Sequence, residues 1–247
     1  MLTYNVYSDG TVIGRESSGV ANMDISKYVH KERKYTVRKH KRQLRCAASL
    51  QAYKNKDVRF VTLTISNSNK YHSDIHTINK VLVRWLKNMK QNYGLINYVG
   101  VAETQQNGSI HYHLLVRFSN KKIDYLKITN AWNEAIYHVT GIEHKYLNSV
   151  RFGTVTKAGN RIHFVNNTLH AIKYITKYIS KSKSEYDSKV VFISLDLRDI
   201  KRTLTDTDLY ETLLSNRIGA VYISDWFVSF GIDVDVAIEV INSFNDT

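Results

Sequence analysis

The stretch LINYVGVAETQQNGSIHYHLLVRF (residues 95–118) constrains this chain more than any other. Two apolar, β-branched and aromatic runs, 95–103 and 110–118, flank the polar Gln-Gln-Asn-Gly-Ser. Runs of that length around Asn-Gly predict an antiparallel hairpin. Its register matters, because a slip of one residue sends every side chain to the opposite face. A three-residue loop with a glycine bulge places Glu103 opposite His111, whereas a two-residue turn turns Glu103 to the wrong face.

The returning strand carries His111-Tyr112-His113. Residues i and i+2 of a strand project to one face, roughly 7 Å apart, so both imidazoles share a side and Tyr112 takes the other. Alternating histidines on a wet sheet face are also ordinary surface residues. Glu103 as a third ligand makes the metal reading stronger. Two imidazoles and one carboxylate leave coordination positions open for water and a phosphate oxygen, which suits catalytic Mg²⁺ or Mn²⁺.

The flanking segments predict how this hairpin is covered. VRFVTLTIS (58–66) alternates as a strand, and residues 74–94 place Ile75, Ile78, Val81, Leu82, Trp85, Leu86 and Met89 at helical spacing. Residues 128–141 read as a second helix ending at Gly141. SVRFGTVT (149–156) and RIHFV (161–165) read as a strand pair around Ala-Gly-Asn. The order strand–helix–strand–strand–helix–strand–helix predicts an α+β fold, an antiparallel sheet with helices on one face. Outside it, residues 4–14 read as a short hairpin around Asp-Gly. The tail from 186 holds VVFISLDL, helical DTDLYETLLSNRI, and the apolar runs AVYISDWFVSFGI and DVAIEVINSF. The expected division is a basic N-terminal extension (1–55), a catalytic-type domain (56–185) and a C-terminal extension without an assigned fold (186–247).

Charge narrows the partners. Residues 1–185 hold 30 Lys+Arg against 11 Asp+Glu, while 186–247 hold 5 against 11. A block of that sign is the footprint of a polyanion binder, most often nucleic acid. Its densest part is 27–45, expected as a basic arm that turns helical, with Lys31, Arg33, Lys34, Arg38, Lys39, Lys41, Arg42 and Arg45 as candidate phosphate contacts, and Lys173 further on. A solvated charged helix would have the same composition. The single cysteine, Cys46, precludes an intrachain disulfide and suits a reducing compartment. No apolar run approaches the roughly 18 residues of a membrane span, and the N-terminus has no signal-peptide core, so a soluble cytoplasmic protein is expected.

KYITKYISKS (173–182) is expected to lie on a last basic helix, 167–183. At about 100° per residue, Ile172, Ile175 and Ile179 form its core stripe, while Tyr174, Tyr178, Lys177 and Lys181 share another band. Tyrosines beside a core stripe are ordinarily half-buried packing residues. A tyrosine hydroxyl is also a competent nucleophile where a cation stabilises its phenolate and a metal polarises the electrophile.

Taken in order, FVTLTIS (60–66), HYHLLV (111–116) and YITKYISK (174–181) resemble the three motifs of rolling-circle replication initiators of the HUH endonuclease superfamily. The doubled Tyr-x-x-Lys is similar to the two-tyrosine type of microvirus-like phages and plasmids, and Glu103 stands where viral initiators often carry an acidic ligand. The resemblance covers about residues 57–183. It implies a ferredoxin/RRM-like core, a divalent metal (Mg²⁺ or Mn²⁺) on Glu103, His111 and His113, and nucleophilic Tyr174 and Tyr178 assisted by Lys177 and Lys181. The implied reaction nicks single-stranded or replication-origin DNA through a 5′-phosphotyrosine and later rejoins it. The sequence shows no GxxxxGK[ST], so the helicase domain of many viral relatives is expected to be missing, and a host helicase and polymerase are implied partners. A transposase or relaxase using the same chemistry, and a non-catalytic nucleic-acid-binding regulator, are the alternatives.

Overall fold

A computed structural model describes residues 2–16, 32–52, 58–119, 124–144, 149–152, 154–155, 161–162, 175–176, 190–198, 200–224 and 227–244. The chain divides into two units, one formed by 1–53 with 197–247 and the other by 54–196.

At the N-terminus, β1 (Leu2–Tyr7) and β2 (Thr11–Glu16) form the expected hairpin. Gly10 takes φ 82 at the end of the loop, a left-handed conformation that side chains with a Cβ resist. Helix α1 (Glu32–Ala52) follows, matching the expected helical end of the basic arm. Leu44, Cys46, Ala47 and Ala48 on it are buried, and burial pushes the Cys46 thiol up to about 12, so it is an inert packing group.

The second unit begins with β3 (Val58–Thr64), α2 (Ile75–Asn92), β4 (Leu95–Thr104), β5 (Ile110–Phe118), α3 (Tyr125–Thr140) and β6 (Val150–Phe152). All seven residues of α2 expected to face the core are buried. Asp74 caps that helix by accepting from the His76 and Thr77 amides. Helix α3 starts three residues earlier than its apolar pattern suggests because Asp124 caps it, accepting from the amides of Leu126 and Lys127. The short strands β7 (Thr154–Val155) and β8 (Arg161–Ile162) pair antiparallel, as anticipated for that part of the chain. β9 (Val191–Ile193) pairs antiparallel with β4.

The resulting sheet has the order β6-β3-β5-β4-β9. Its first four strands are the β-α-β-β-α-β arrangement in which a hairpin strand inserts between the strands of a split βαβ unit. One face packs Val61, Leu63, Tyr112, Leu114 and Val116 against the apolar stripes of α2 and α3. Trp85 and Trp132 meet edge-on at 6.0 Å there, and Trp132 Nε1 donates to the Thr64 carbonyl.

The chain then returns to the first unit with β10 (Lys201–Leu204), α4 (Thr207–Ser215), β11 (Ile218–Ser224), β12 (Phe227–Gly231) and α5 (Val234–Ser243). Here the structure departs from the expected division into separate extensions. β10 pairs with β1 and β12 with β2, giving a second antiparallel sheet in the order β10-β1-β2-β12-β11. Tyr4, Val6 and Val12 from the N-terminal end share a core with Tyr210, Leu213, Phe230 and Ala237 from the C-terminal end. A two-stranded hairpin is marginal alone, and the tail supplies the further strands and the helices that bury its apolar face. The fold is α+β throughout, with two five-stranded antiparallel sheets and five helices among the described residues. No helix among those residues is long and apolar enough to cross a membrane.

Candidate metal centre on the histidine strand

The β4–β5 turn settles the register. The Gly108 amide donates to the Gln105 carbonyl and the Gln105 amide to the Ser109 carbonyl, enclosing the three-residue loop Gln106-Asn107-Gly108. Gly108 takes φ 83, and the Asn107 side chain accepts from the Ser109 amide. Pairing then runs Thr104 to Ile110, Glu103 to His111 and Val101 to His113. This is the alternative that puts Glu103 on the histidine face.

On that face the Glu103 carboxylate reaches diagonally to His113, with Oε2 at 2.7 Å from Nε2. His113 Nδ1 lies 3.2 Å from the Thr62 hydroxyl. His111 Nδ1 is 3.1 Å from the Gln105 side-chain amide and 3.4 Å from the Thr64 hydroxyl. The threonines face the histidines by register, Thr62 opposite His113 and Thr64 opposite His111. A hydroxyl can donate or accept, so each threonine serves its histidine in either tautomer.

Both histidines are buried. Burial is the largest cause holding the His111 ring down at about 4; the nearby His113 and Arg151 lower it further, and Glu103 opposes them. His111 is therefore neutral at pH 7, the form in which an imidazole coordinates a metal. Tyr112 points to the other side, into the core, where it meets Trp132 and Phe192 edge-on and donates to Asn79 Oδ1 at 2.7 Å.

The donor set has the right chemistry but is not gathered as a finished cage. Glu103 and His113 touch, while His111 turns Nδ1 to Gln105 and Thr64. Among the described residues no three His, Cys, Asp or Glu side chains converge. Two imidazoles and a carboxylate on adjacent strands are residue types that could hold a divalent cation, and Nε2 is the His111 nitrogen left for it, because Nδ1 is occupied.

The other candidate residues are distributed as follows. Tyr174, Tyr178, Lys177, Lys181, Lys173 and Lys31 lie outside the described residues. Beside the tyrosines, Ile175 and Thr176 are helical and Ile175 is fully buried, in keeping with its place in the apolar stripe. Arg33, Lys34 and Arg38 belong to α1, and on the same helix Lys39 is exposed and Lys41 half-buried. Two of the candidate phosphate contacts are committed within their own unit. Arg45 pairs with Asp9 at 3.0 Å, and the Arg42 guanidinium sits 4.8 Å above the Tyr7 ring.

Thr62, Thr64 and Gln105 were not singled out by sequence reasoning. The signal was present in part: the threonines of VTLT repeat with the same two-residue period as the histidines. What was hidden is that β3 lies beside β5.

Residues 58–183, just over half of the 247, match a family of replication-associated proteins, described by its ORF2 member. No curated protein and no solved structure matches the chain. The matched span contains β3, the histidine hairpin, both helices that cover it, and KYITKYISKS.

Proposed function

This chain belongs to the replication-associated protein ORF2 family, and from that premise we propose that it initiates rolling-circle DNA replication by nicking and rejoining one strand. The observation that carries this reading is the pairing of Glu103 with the His111-Tyr112-His113 strand inside the matched span. Glu103, His111 and His113 would hold Mg²⁺ or Mn²⁺. When bound, such a cation polarises a phosphodiester by withdrawing charge from a non-bridging oxygen.

The chain's own groups have separate tasks. The oxygen of Tyr174 or Tyr178 forms a bond to phosphorus as the P–O3′ bond breaks. The phenol proton is lost, and the departing O3′ gains one, leaving a 5′-phosphotyrosine and a free 3′-OH that primes synthesis. Lys177 and Lys181 favour the phenolates. The second tyrosine cleaves the regenerated junction without dissolving the first linkage, and the 3′-OH that this cleavage releases attacks the first phosphotyrosine, expelling its tyrosine and closing a circle. Thr62 and Thr64 hold the rings of His113 and His111, and Gln105 holds His111 from the loop side.

The test is incubation of the full chain with single-stranded DNA from its replicon's origin and Mn²⁺. A covalent protein–DNA band is expected, lost with EDTA and with Tyr174→Phe plus Tyr178→Phe. His113→Ala is expected to bind the DNA but form adduct at least about 10³-fold more slowly. An adduct that survives the double substitution sinks the nucleophile assignment. Wild-type protein that binds DNA but is inert with every divalent metal would instead be a regulator.

A further inference from the structure

Arg151 shares the face of the histidines without having been marked by any motif. It pairs with Thr62 across β6–β3, Thr62 pairs with His113 across β3–β5, and His113 pairs with Val101 across β5–β4. Directly opposed residues of antiparallel strands project to the same face, so Arg151, Thr62 and His113 form one row across the sheet. At about 4.8 Å per strand, the Arg151 and His113 backbones stand about 10 Å apart, a gap a phosphate and a long side chain can fill. Arg151 is exposed, and among the described residues no carboxylate pairs with it.

The edge strand carrying Arg151 is pinned by a buried polar cluster. The Ser149 carbonyl accepts from the Thr64 amide, and the Ser149 hydroxyl donates to Asn133 Oδ1 at 2.8 Å. His144 Nε2 accepts from the Ser66 amide, so its proton is on Nδ1, from which it donates to the same Asn133 oxygen at 3.0 Å. Loop, helix α3 and the ends of β3 and β6 are thereby tied together. The backbone from which Arg151 projects is anchored to β3 and α3.

We propose that Arg151 is a phosphate-binding residue of the site, gripping a backbone phosphodiester of the single-stranded DNA at the exposed β6 end of the row that runs through Thr62 to His113. A guanidinium suits that task because its planar fork can take two phosphate oxygens at once. It supplies positive charge on the flank away from Glu103, whose carboxylate would otherwise repel the strand. This assignment rests on the DNA-nicking reading above and names the group that orients its substrate.

The experiment uses the full chain and a fluorescent twenty-nucleotide oligo-dT, with anisotropy titrations over a series of NaCl concentrations in Mn²⁺ buffer. Arg151→Gln is expected to weaken binding about tenfold and to reduce the slope of log K against log salt by about 0.7, the value for one lost single-strand phosphate contact. Arg151→Lys should restore the slope but only part of the affinity, since it keeps the charge and loses the fork. Lys87→Gln, exposed on α2, should match wild type. Calorimetry with Mn²⁺ alone should show Arg151→Gln binding the metal at least as tightly as wild type, which also reports that the site is folded. Wild-type affinity and slope in Arg151→Gln would overturn the proposal while leaving the metal centre standing. Failure of wild type to bind Mn²⁺ would remove the metal centre, yet a slope lost in Arg151→Gln would still uphold the phosphate contact.

Discussion

The loops Ser8–Gly10 and Gln106–Gly108 are built alike, with their glycines at φ 82 and φ 83, yet the strands they join are buried differently. Along β1, Tyr4 and Val6 are buried while Thr3, Asn5 and Tyr7 are half-buried, so that sheet is covered mainly on one side. Along β5 every residue but Arg117 is buried, on both faces. A one-sided strand can give its outer positions to any polar residue. A strand covered on both sides can hold histidines only if each polar atom finds a partner. His111 and His113 find theirs in Thr62, Thr64, Gln105 and Glu103. The same turn thus makes a plain scaffold in one place and carries a buried histidine–carboxylate cluster in the other, and the difference lies in what surrounds it.

Acid should separate the two hairpins most. His111 ionises at about 4 when folded, against an ordinary 6.5, and burial also lowers His144. Because the folded pKa is the lower one, the unfolded chain takes up the proton first. Stability is complete above about pH 6.5 and falls as pH drops toward 4, by on the order of 3 kcal/mol for His111. The β1–β2 hairpin contains no histidine. Amide exchange at pH 7, 5 and 4 should show β5 losing protection before β1, and His111→Gln should flatten the effect. Earlier loss in β1 would contradict the contrast.

The two loop glycines give the next largest difference. A Cβ at Gly10 collides with the Ile232 carbonyl, whereas at Gly108 its nearest neighbour is Ser73 Cβ at 3.9 Å. Gly108→Ala therefore costs only left-handed strain, about 1 kcal/mol, and Gly10→Ala costs about 3 kcal/mol because backbone must also move. Urea unfolding of the two variants measures this directly. Equal costs would mean that the loops are equally free, against the packing seen at Gly10.

The smallest effect concerns the two buried tyrosines. Tyr112 donates to Asn79, while the buried Tyr4 hydroxyl has no partner among the described residues. Tyr112→Phe should cost about 1 kcal/mol, and Tyr4→Phe should be neutral or slightly stabilising. A reversed order in thermal unfolding would show that the Tyr4 hydroxyl is satisfied after all.

Local periodicity made much of the second unit legible. The apolar stripe of α2 and the limits of β5 are encoded within about twenty neighbouring residues, whereas the sequence left the β4–β5 loop open between two and three residues. Caps were harder to read, and α3 begins at Tyr125, behind its Asp124 cap, rather than at its first core residue. The partners of the histidines were not legible. Thr62 lies 51 positions from His113, and Arg151 joins the row only through β6.

The sequence by itself determined the alternation and the chemistry of the side chains, because these depend on backbone sterics and on neighbours within a few residues. Strand order was decided only by the tertiary structure. It put β3 between β5 and β6, so that two threonines and an arginine came to face the histidines. It also joined β1 and β2 to β10, β11 and β12 in one sheet, where the sequence reading set the N-terminal and C-terminal extensions down separately. The reason is the same in both places: a strand's local pattern says which face must be buried, and only the collapse of the whole chain selects the strands beside it.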